Sequence, residues 1–204
     1  MSRAISLNFF RIILLVPITI VRDSHALDRS DWNIDMTSYS VAMVCLGNIC
    51  RSPMAAAVLS NKVESTNDFE IIVSSSGTSG WHIGQGPHPT SQLVWEKAGY
   101  QHRHVASQFK ANDYFVNDYI LVMDSSNYEN VLALAPSEED RAKVYYLRSF
   151  DPALQQIEPS SSEYFKLEVP DPYNQHEDAY REVLAMIESA VDGFIDHLTR
   201  GHVA

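Results

Sequence analysis

The sequence is short of cysteine and of basic residues. Cys45 and Cys50 are its only cysteines, too few for a disulfide scaffold, and no second cysteine or histidine pair at zinc-finger spacing accompanies them. Lysine and arginine total 15 against 26 aspartates and glutamates, which gives a formal net charge of -11. This acidic balance argues against nucleic acid or an anionic membrane as the main partner. No internal repeat or low-complexity tract is present, so we expect one domain with a single core.

Long apolar runs are also missing. Residues 12–21 are mainly apolar, but this run is about half the length that a membrane-spanning helix needs, and Pro17 interrupts it. A signal peptide is disfavoured, because Arg22 and Asp23 lie between the run and residues 24–26, a tolerable cleavage site. We therefore expect no membrane partner.

The N-terminal segment is expected to lie outside the functional domain. Residues 1–38 are interpreted as an N-terminal extension, either disordered or an over-extended gene start with translation beginning at Met36. The functional domain is expected to comprise residues 39–204.

The most informative segment lies between a predicted strand and a predicted helix. Residues 40–44 are an apolar run typical of a buried strand, and Pro53 opens an alanine-rich segment typical of a helix with proline in its first turn. Residues 45–51, the phosphate loop, therefore lie at a helix N-terminus. Unpaired backbone N–H groups and the helix dipole favour a bound anion such as phosphate there. Gly47 lets the backbone turn in close.

Two side chains of this loop indicate nucleophilic chemistry. Arg51 offers a planar fork of donors for phosphate oxygens, and the positive field should hold Cys45 as a nucleophilic thiolate. A buried packing role remains the favoured interpretation of Cys50 taken alone. A Walker-type nucleotide loop would require lysine before Ser52, where this chain has arginine.

Apolar runs and helical patterns alternate along the rest of the chain. This alternation predicts an α/β fold, a doubly wound, open parallel sheet flanked by helices, in a single domain. The phosphate loop would follow the first strand at the carboxyl edge of the sheet, where such folds bind ligands. The predicted strands cover residues 40–44, 69–74, 119–123 and 143–147, and the predicted helices begin at Pro53 and cover 90–98, 127–134 and 177–198.

Several blocks of the sequence resemble the low-molecular-weight protein tyrosine phosphatases. Cys45-Leu46-Gly47-Asn48-Ile49-Cys50-Arg51-Ser52-Pro53 is similar to the active-site loop of that family. Residues 74–84 are similar to the loop that carries a substrate-side aromatic residue, and residues 119–127 to the central strand and the turn after it. Residues 169–173 resemble the general-acid loop. The resemblance runs from about Tyr39 to the C-terminus.

The resemblance implies a metal-free and cofactor-free hydrolysis of phosphotyrosine and small aryl phosphates. Cys45 would form a phosphocysteine, Arg51 would bind the phosphate, and Asp171 would act as general acid and then base. Asn48 would hydrogen-bond Ser76 and His104, and Ser52 would donate to the Cys45 sulfur. Loop support is assigned to Leu46, Gly47, Asn48, Ile49, Cys50, Ser52, Ser76 and His104, and the substrate pocket to Trp81 and Tyr173.

Alternatives and departures remain at this level. Asp151 also precedes a proline, but Asp171 is preferred because Tyr173 follows it as an expected wall of the pocket. Residues 88–90 read His-Pro-Thr where the family usually has Asp-Pro-Arg, Asn174 replaces a second tyrosine, and residues 105–108 lack the family's usual arginine.

Three rival functions are weighed. An arsenate reductase needs further cysteines, and none follows Cys50. A protein-arginine phosphatase would carry threonine at the position of Ile49, and a pure phosphate-binding module has no use for Asp171. The expected partner is a phosphotyrosine protein, a tyrosine kinase among the candidates, with a monomeric enzyme in the reducing cytoplasm.

Overall fold

Parallel strands and helices alternate along the chain. The structure, a computed structural model, describes residues 37–64 and 69–202. The strands are β1 (Ser38–Cys45), β2 (Glu70–Gly77), β3 (Tyr119–Val122) and β4 (Val144–Tyr146). The α-helices are α1 (Arg51–Val63), α2 (Pro89–Lys97), α3 (Ser125–Leu132), α4 (Glu138–Arg141) and α5 (Glu177–His202). Short 3-10 helices cover Ala111–Phe115, Leu147–Phe150 and Tyr164–Leu167. Of the expected N-terminal extension, residues 1–36 lie outside the described residues.

The four strands form one parallel sheet with the order β2-β1-β3-β4. β1 is central, and Val41 lies opposite Val73 on one side and Tyr119 on the other. Because all strands run in the same direction, Cys45 and Gly77 end side by side at the carboxyl edge. The predicted doubly wound, open parallel sheet is confirmed.

The two faces of β1 contribute to two hydrophobic clusters, one on each side of the sheet, instead of the single core expected from the length; alternate residues of a strand face opposite sides. Val41 and Met43 belong to a cluster with the apolar faces of α1 and α5, whereas Ala42 and Val44 pack with residues of β3, β4 and α3. Residues 55–57 of α1 are alanines that are at most 1% exposed. Their small side chains let α1 approach the sheet closely, which places its N-terminus directly beyond β1.

The long helix α5 closes the first face of the sheet. Tyr180, Ile187 and Phe194 lie on its buried side and are fully inaccessible to solvent. At Gly193 the helix meets the backbone of the Leu147–Phe150 turn, since a Cβ there would lie 1.8 Å from the carbonyl oxygen of Phe150. Within the described ranges, every helix is too short or too polar to cross a membrane.

Candidate active site

The phosphate loop connects the end of β1 to the start of α1. Its carbonyl groups are bonded outward, to N–H and O–H donors from the surrounding elements. Thr78 N donates to the Cys45 carbonyl at 2.8 Å, Ser79 N to Leu46 at 2.9 Å, and His88 N to Ile49 at 2.8 Å. The loop can therefore turn its N–H groups toward an anion, next to those of the first turn of α1.

Close backbone packing fixes the shape of this loop. Asn48 has a positive φ of 55°, a left-handed conformation that asparagine tolerates better than most residues. Gly77, at the end of β2, lies against the loop so closely that a Cβ would stand 2.7 Å from the carbonyl oxygen of Leu46. Any side chain at this position would therefore displace the loop. No local pattern predicts this role of Gly77, because the contact joins residues 31 positions apart.

The Cys45 thiol lies at the base of the loop, 2% exposed, with its Sγ 3.0 Å from the Ser52 Oγ. Ser52 Oγ accepts a hydrogen bond from Asn48 Nδ2 at 2.9 Å and can donate to the Ser76 carbonyl at 3.4 Å or to the Cys45 sulfur. A thiolate can only accept, so ionised Cys45 orients the Ser52 hydroxyl toward itself. Ser52 lies inside α1 and does not cap the helix.

The buried Asn48 side chain holds the loop against the second strand. Its Nδ2 donates to Ser75 Oγ at 3.0 Å, and its Oδ1 accepts from Ser107 N at 2.8 Å. His104 Nε2 donates to the Asn48 carbonyl at 2.6 Å. The pKa of His104 is lowered, mainly by burial, and the bond to Asn48 opposes this shift.

The expected side-chain partner of Asn48 was wrong by one residue. Ser75, not Ser76, accepts from Asn48, and Ser76 contributes its backbone carbonyl to Ser52. Successive residues of a strand face opposite sides of the sheet, so only one of two adjacent serines can reach Asn48. The sequence shows three consecutive serines in β2, and their composition carries no information about which of them faces the loop.

Two carboxylates and one backbone carbonyl hold the Arg51 guanidinium. Its Nη1 donates to Asp124 Oδ2 at 2.5 Å and to the Val169 carbonyl at 3.0 Å, while Nη2 donates to Asp171 Oδ2 at 3.0 Å. Among the described residues, its buried Nε has no hydrogen-bond partner. Burial disfavours the charge of Arg51, but Cys45, Asp171 and Asp124 outweigh it and raise the pKa of Arg51.

Asp124 is a site residue that the sequence analysis missed. It follows β3 and caps α3, because its Oδ1 accepts from Asn127 N at 2.7 Å while Oδ2 binds Arg51. An aspartate three residues before an asparagine, directly after an apolar strand, is a helix-cap signal. That signal places Asp124 at the carboxyl edge of the sheet, but it does not identify Arg51 as its partner.

Asp171 belongs to the acid loop, residues 169–174, which faces the phosphate loop. Val169 N donates to the Met123 carbonyl at 2.7 Å, and Gln175 Nε2 donates to the Asp171 carbonyl at 2.9 Å. Asp151 lies elsewhere: it is 5% exposed and accepts hydrogen bonds from Ala153 N and Ser189 Oγ. The structure thus places Asp171 beside Arg51 and gives Asp151 a turn-stabilising position.

Both loops enclose a cavity of about 170 Å³. Trp81 and Tyr173, which the sequence assigns to the pocket, stand at its mouth and are 72% and 47% exposed. His82 also lines the cavity and was not predicted; its Nδ1 lies 2.9 Å from Gln85 Oε1. The lining residues are Cys45, Leu46, Gly47, Ile49, Cys50, Arg51, Trp81, His82, Asp171 and Tyr173.

Comparisons with known proteins agree with this geometry. Residues 40–203 match the family model of the low molecular weight phosphotyrosine protein phosphatases. A low molecular weight protein-tyrosine-phosphatase from Streptomyces coelicolor is 39% identical over 159 residues, which cover 78% of this chain and 92% of the relative.

Solved structures show the same fold. A protein tyrosine phosphatase from Entamoeba histolytica, with Hepes in its active site, superposes with a TM-score of 0.71 and 31% identity, covering 80% of this chain and 98% of the other. An arginine phosphatase from Drosophila superposes with a TM-score of 0.67 and 27% identity, covering 78% of this chain and 96% of the other. By the family match over residues 40–203 and the identity to its Streptomyces relative, the chain belongs to the low molecular weight phosphotyrosine protein phosphatase family.

Proposed function

We propose that this protein hydrolyses phosphotyrosine in proteins, and small aryl phosphates, through a phosphocysteine intermediate on Cys45. One observation carries the proposal: a thiol, a buried arginine and a carboxylate line the same small cavity at a helix N-terminus. Cys45 supplies the nucleophile, Arg51 the phosphate contact, and Asp171 the proton.

In the first step, the Cys45 thiolate attacks phosphorus in line with the departing phenol oxygen. The P–S bond forms as the P–O bond breaks, and Asp171 transfers its proton to that oxygen. The buried Nε of Arg51 and the N–H groups of the phosphate loop bind the equatorial oxygens.

In the second step, Asp171 takes a proton from water, and the resulting hydroxide attacks the phosphocysteine. The P–O bond to water forms, the P–S bond breaks, and inorganic phosphate leaves. Ser52 Oγ, 3.0 Å from the sulfur, donates to the thiolate and stabilises it as a leaving group.

The Arg51 guanidinium also binds two carboxylates outside the phosphate loop. In this structure its Nη2 binds Asp171, and its Nη1 binds Asp124 at the end of β3. Asp124 can therefore hold the guanidinium in place when Asp171 turns toward a leaving oxygen.

The shape of the cavity supports preference for phosphotyrosine over phosphoserine. Cys45 lies at the base, while Trp81 and Tyr173 flank the mouth, so the phosphorus must stand well away from the peptide backbone. A tyrosine ring provides that distance, and a serine side chain does not. Phenol is also a better leaving group than an alkoxide. Together, the two effects should make kcat/KM for phosphotyrosine peptides higher than for phosphoserine peptides by more than about two orders of magnitude, roughly the cost of misplacing a reacting group.

The nucleophile assignment is tested with Cys45→Ser on phenyl phosphate. Turnover should be abolished, while circular dichroism and the thermal unfolding midpoint stay close to wild type. Cys50→Ser, on the same loop, is the matched control and should retain turnover. Activity retained in Cys45→Ser would refute the mechanism.

We also propose that the substrates are tyrosine-phosphorylated proteins of the cytoplasm, a tyrosine kinase among them, and that the enzyme acts as a monomer. A catalytic thiol requires a reducing compartment, which supports this location. Substrate trapping with Asp171→Asn, compared with the Cys45→Ser/Asp171→Asn double variant and competed with vanadate, tests the partner class. Capture that vanadate does not displace would contradict it.

Hydrolysis of phosphoarginine is the second candidate, favoured by the fold shared with the Drosophila arginine phosphatase. Ile49 opposes it, because its apolar side chain lines the cavity and suits an aryl ring, whereas threonine would offer a hydroxyl to a nitrogen-linked phosphate. Wild type should prefer phosphotyrosine, and Ile49→Thr should shift the ratio toward phosphoarginine. A wild-type preference for phosphoarginine would replace the first proposal.

A further inference from the structure

His88 occupies the N-cap position of α2 without capping the helix. Its backbone has the extended geometry of an N-cap, with φ -60° and ψ 130°, but its side chain makes no bond to the first turn. Aspartate, asparagine, serine and threonine are preferred at this position because their short side chains accept such bonds. Helix stability therefore does not explain a histidine here.

The His88 ring instead packs against two tyrosines from different elements. It stacks on Tyr180 of α5 with a centroid distance of 5.4 Å and an interplanar angle of 15°. It meets Tyr173 of the acid loop edge-on, at 5.7 Å and 74°. Tyr173 lines the cavity two residues after Asp171, so His88 supports the acid loop from behind.

The Tyr180 hydroxyl joins the same three elements. It lies 3.2 Å from His88 Nδ1 and interacts with the Cys50 thiol of the phosphate loop and the backbone of Asn174 in the acid loop. Burial, and then the neighbouring Cys50, raise the pKa of Tyr180, so the hydroxyl keeps its proton for hydrogen bonding. Asn174 has a positive φ of 62°, which turns the acid loop back toward α5.

His88 also contacts the phosphate loop through its backbone. Its N–H donates to the Ile49 carbonyl at 2.8 Å, directly beside the residues that surround the anion site. The acid loop needs such support, because the side chain of Asp171 is 41% exposed and Tyr173 is 47% exposed. Within the described part of the chain, His88 is not among the residues that line the cavity, and it reaches the site through Tyr173 and the Ile49 carbonyl.

We propose that His88 is a positioning residue that fixes the acid loop, and with it Asp171, relative to the phosphate loop, through Tyr173 and the Tyr180 hydroxyl. The proposal rests on the proposed function, since it matters only if Asp171 delivers the proton. Losing His88 should then impair proton transfer to the leaving group more than binding of the phosphate.

Three variants separate the ring from the hydrogen bond. His88→Ser removes the ring and supplies a preferred N-cap without adding a charge beside the phosphate loop, so its thermal unfolding midpoint should not fall below that of wild type. Its kcat/KM for phenyl phosphate, which reports the step that releases the leaving group, should fall about tenfold or more, roughly the cost of misplacing a catalytic group. His88→Phe keeps a ring on Tyr180 but loses both ring nitrogens, including the Nδ1 that meets the Tyr180 hydroxyl, and Tyr180→Phe loses only the hydroxyl. Each should cost about threefold to tenfold, the effect of one hydrogen bond.

Leaving-group dependence distinguishes positioning of the acid from a general structural defect. For p-nitrophenyl phosphate, which needs little protonation of its leaving group, the loss of kcat/KM in His88→Ser should be much smaller than for phenyl phosphate. Competitive inhibition by inorganic phosphate, a probe of the phosphate loop, should change less than twofold. His197→Phe is the matched control for His88→Phe: His197 also packs against aromatic rings, Tyr119 and Phe150, but lies outside the cavity lining. In His197→Phe, the ratio of kcat/KM for the two substrates should be the same as in wild type.

The closing experiment combines His88→Ser with Asp171→Asn on phenyl phosphate. If His88 acts through Asp171, the double variant should be no slower than Asp171→Asn alone. A further full loss in the double variant, or equal losses of His88→Ser on both substrates, would overturn the proposal while Asp171→Asn still showed the acid to be needed. An unchanged rate in Asp171→Asn alone would overturn the acid assignment of the proposed function, and the role of His88 with it.

Discussion

Asp124→Asn should separate the charge that holds Arg51 from the cap that holds α3. The Arg51 side chain is 3% exposed and that of Asp124 21%, and their 2.5 Å contact is the shortest that Arg51 makes to a carboxylate. Asparagine is nearly as good an N-cap as aspartate, so it should preserve the bond from Asn127 N while removing the negative charge. The variant therefore tests whether Arg51 needs its charged partner.

The expected magnitude follows from what Arg51 retains. Its bonds to the Val169 carbonyl and to Asp171 remain, so the guanidinium stays in the cavity but loses its strongest support. A charged hydrogen bond contributes about 1.5–3 kcal/mol, and we expect unfolding stability to fall by about 1–2 kcal/mol because Asp124 is partly exposed. A displaced phosphate-binding arginine should lower kcat/KM by about tenfold to a hundredfold. Asp124→Ala should lose about 1 kcal/mol more stability, from the missing cap, with a similar catalytic defect.

Steady-state kinetics on p-nitrophenyl phosphate, together with urea denaturation, check both parts. If Arg51 does not move, removing a negative charge near the anion site tightens phosphate binding instead. An Asp124→Asn enzyme with unchanged kcat and a lower inhibition constant for phosphate would show that Asp124 only repels the substrate. Asp124 would then have no role in positioning Arg51.

Three further predictions concern the acid, redox control and pH. Asp171→Asn should lower turnover by roughly two to four orders of magnitude, and more for phenyl phosphate than for p-nitrophenyl phosphate; equal losses would move the acid role to another residue. Mild peroxide should oxidise Cys45 to a sulfenic acid and then form a Cys45–Cys50 disulfide that dithiothreitol reverses. Burial and the charge of Cys45 raise the pKa of Cys50 to about 12, so Cys50 remains a thiol until Cys45 has been oxidised. Mass spectrometry that finds no such disulfide would leave Cys50 a packing role only. Burial lowers the pKa of His102 and His104 in the folded state, so unfolding stability should decrease as pH falls below about 6.5, where the unfolded chain takes up protons first. His102→Gln should flatten this decrease in urea titrations, and an unchanged slope would exclude His102 as a source.

Local patterns in the sequence were sufficient to predict the sheet and the phosphate loop. The apolar runs of β1 and β3 and the amphipathic pattern of α5 are properties of short segments, and a parallel sheet follows from their alternation. The helix N-terminus after Cys45 was predicted for the same reason, since Pro53 marks the first turn of α1. Such features need no knowledge of which distant residues meet.

The residues that were missed act through contacts between distant parts of the chain. Asp124 lies 73 positions from Arg51, and the cap signal around it explains its place without revealing its partner. Gly77 is required by the approach of the Leu46 carbonyl, which depends on the register between β1 and β2. His82 could only have been suspected from its position beside Trp81.

Ser76 was expected as the partner of Asn48, and Ser75 takes that place. The missing information was the direction in which the side chains of β2 point. In β2, Ser75 lies opposite Met43, whose side chain faces the core that contains α1, and Ser76 lies opposite Val44, which faces the other core. Asn48 and Ser52 lie on the α1 side, so only Ser75 can accept from Asn48. The residues of a strand that point toward a helix are those on the face of the sheet that the helix covers. Three consecutive serines show no apolar–polar alternation from which that face could be identified. A single apolar residue among these three positions would have revealed the buried face, and with it the correct partner of Asn48.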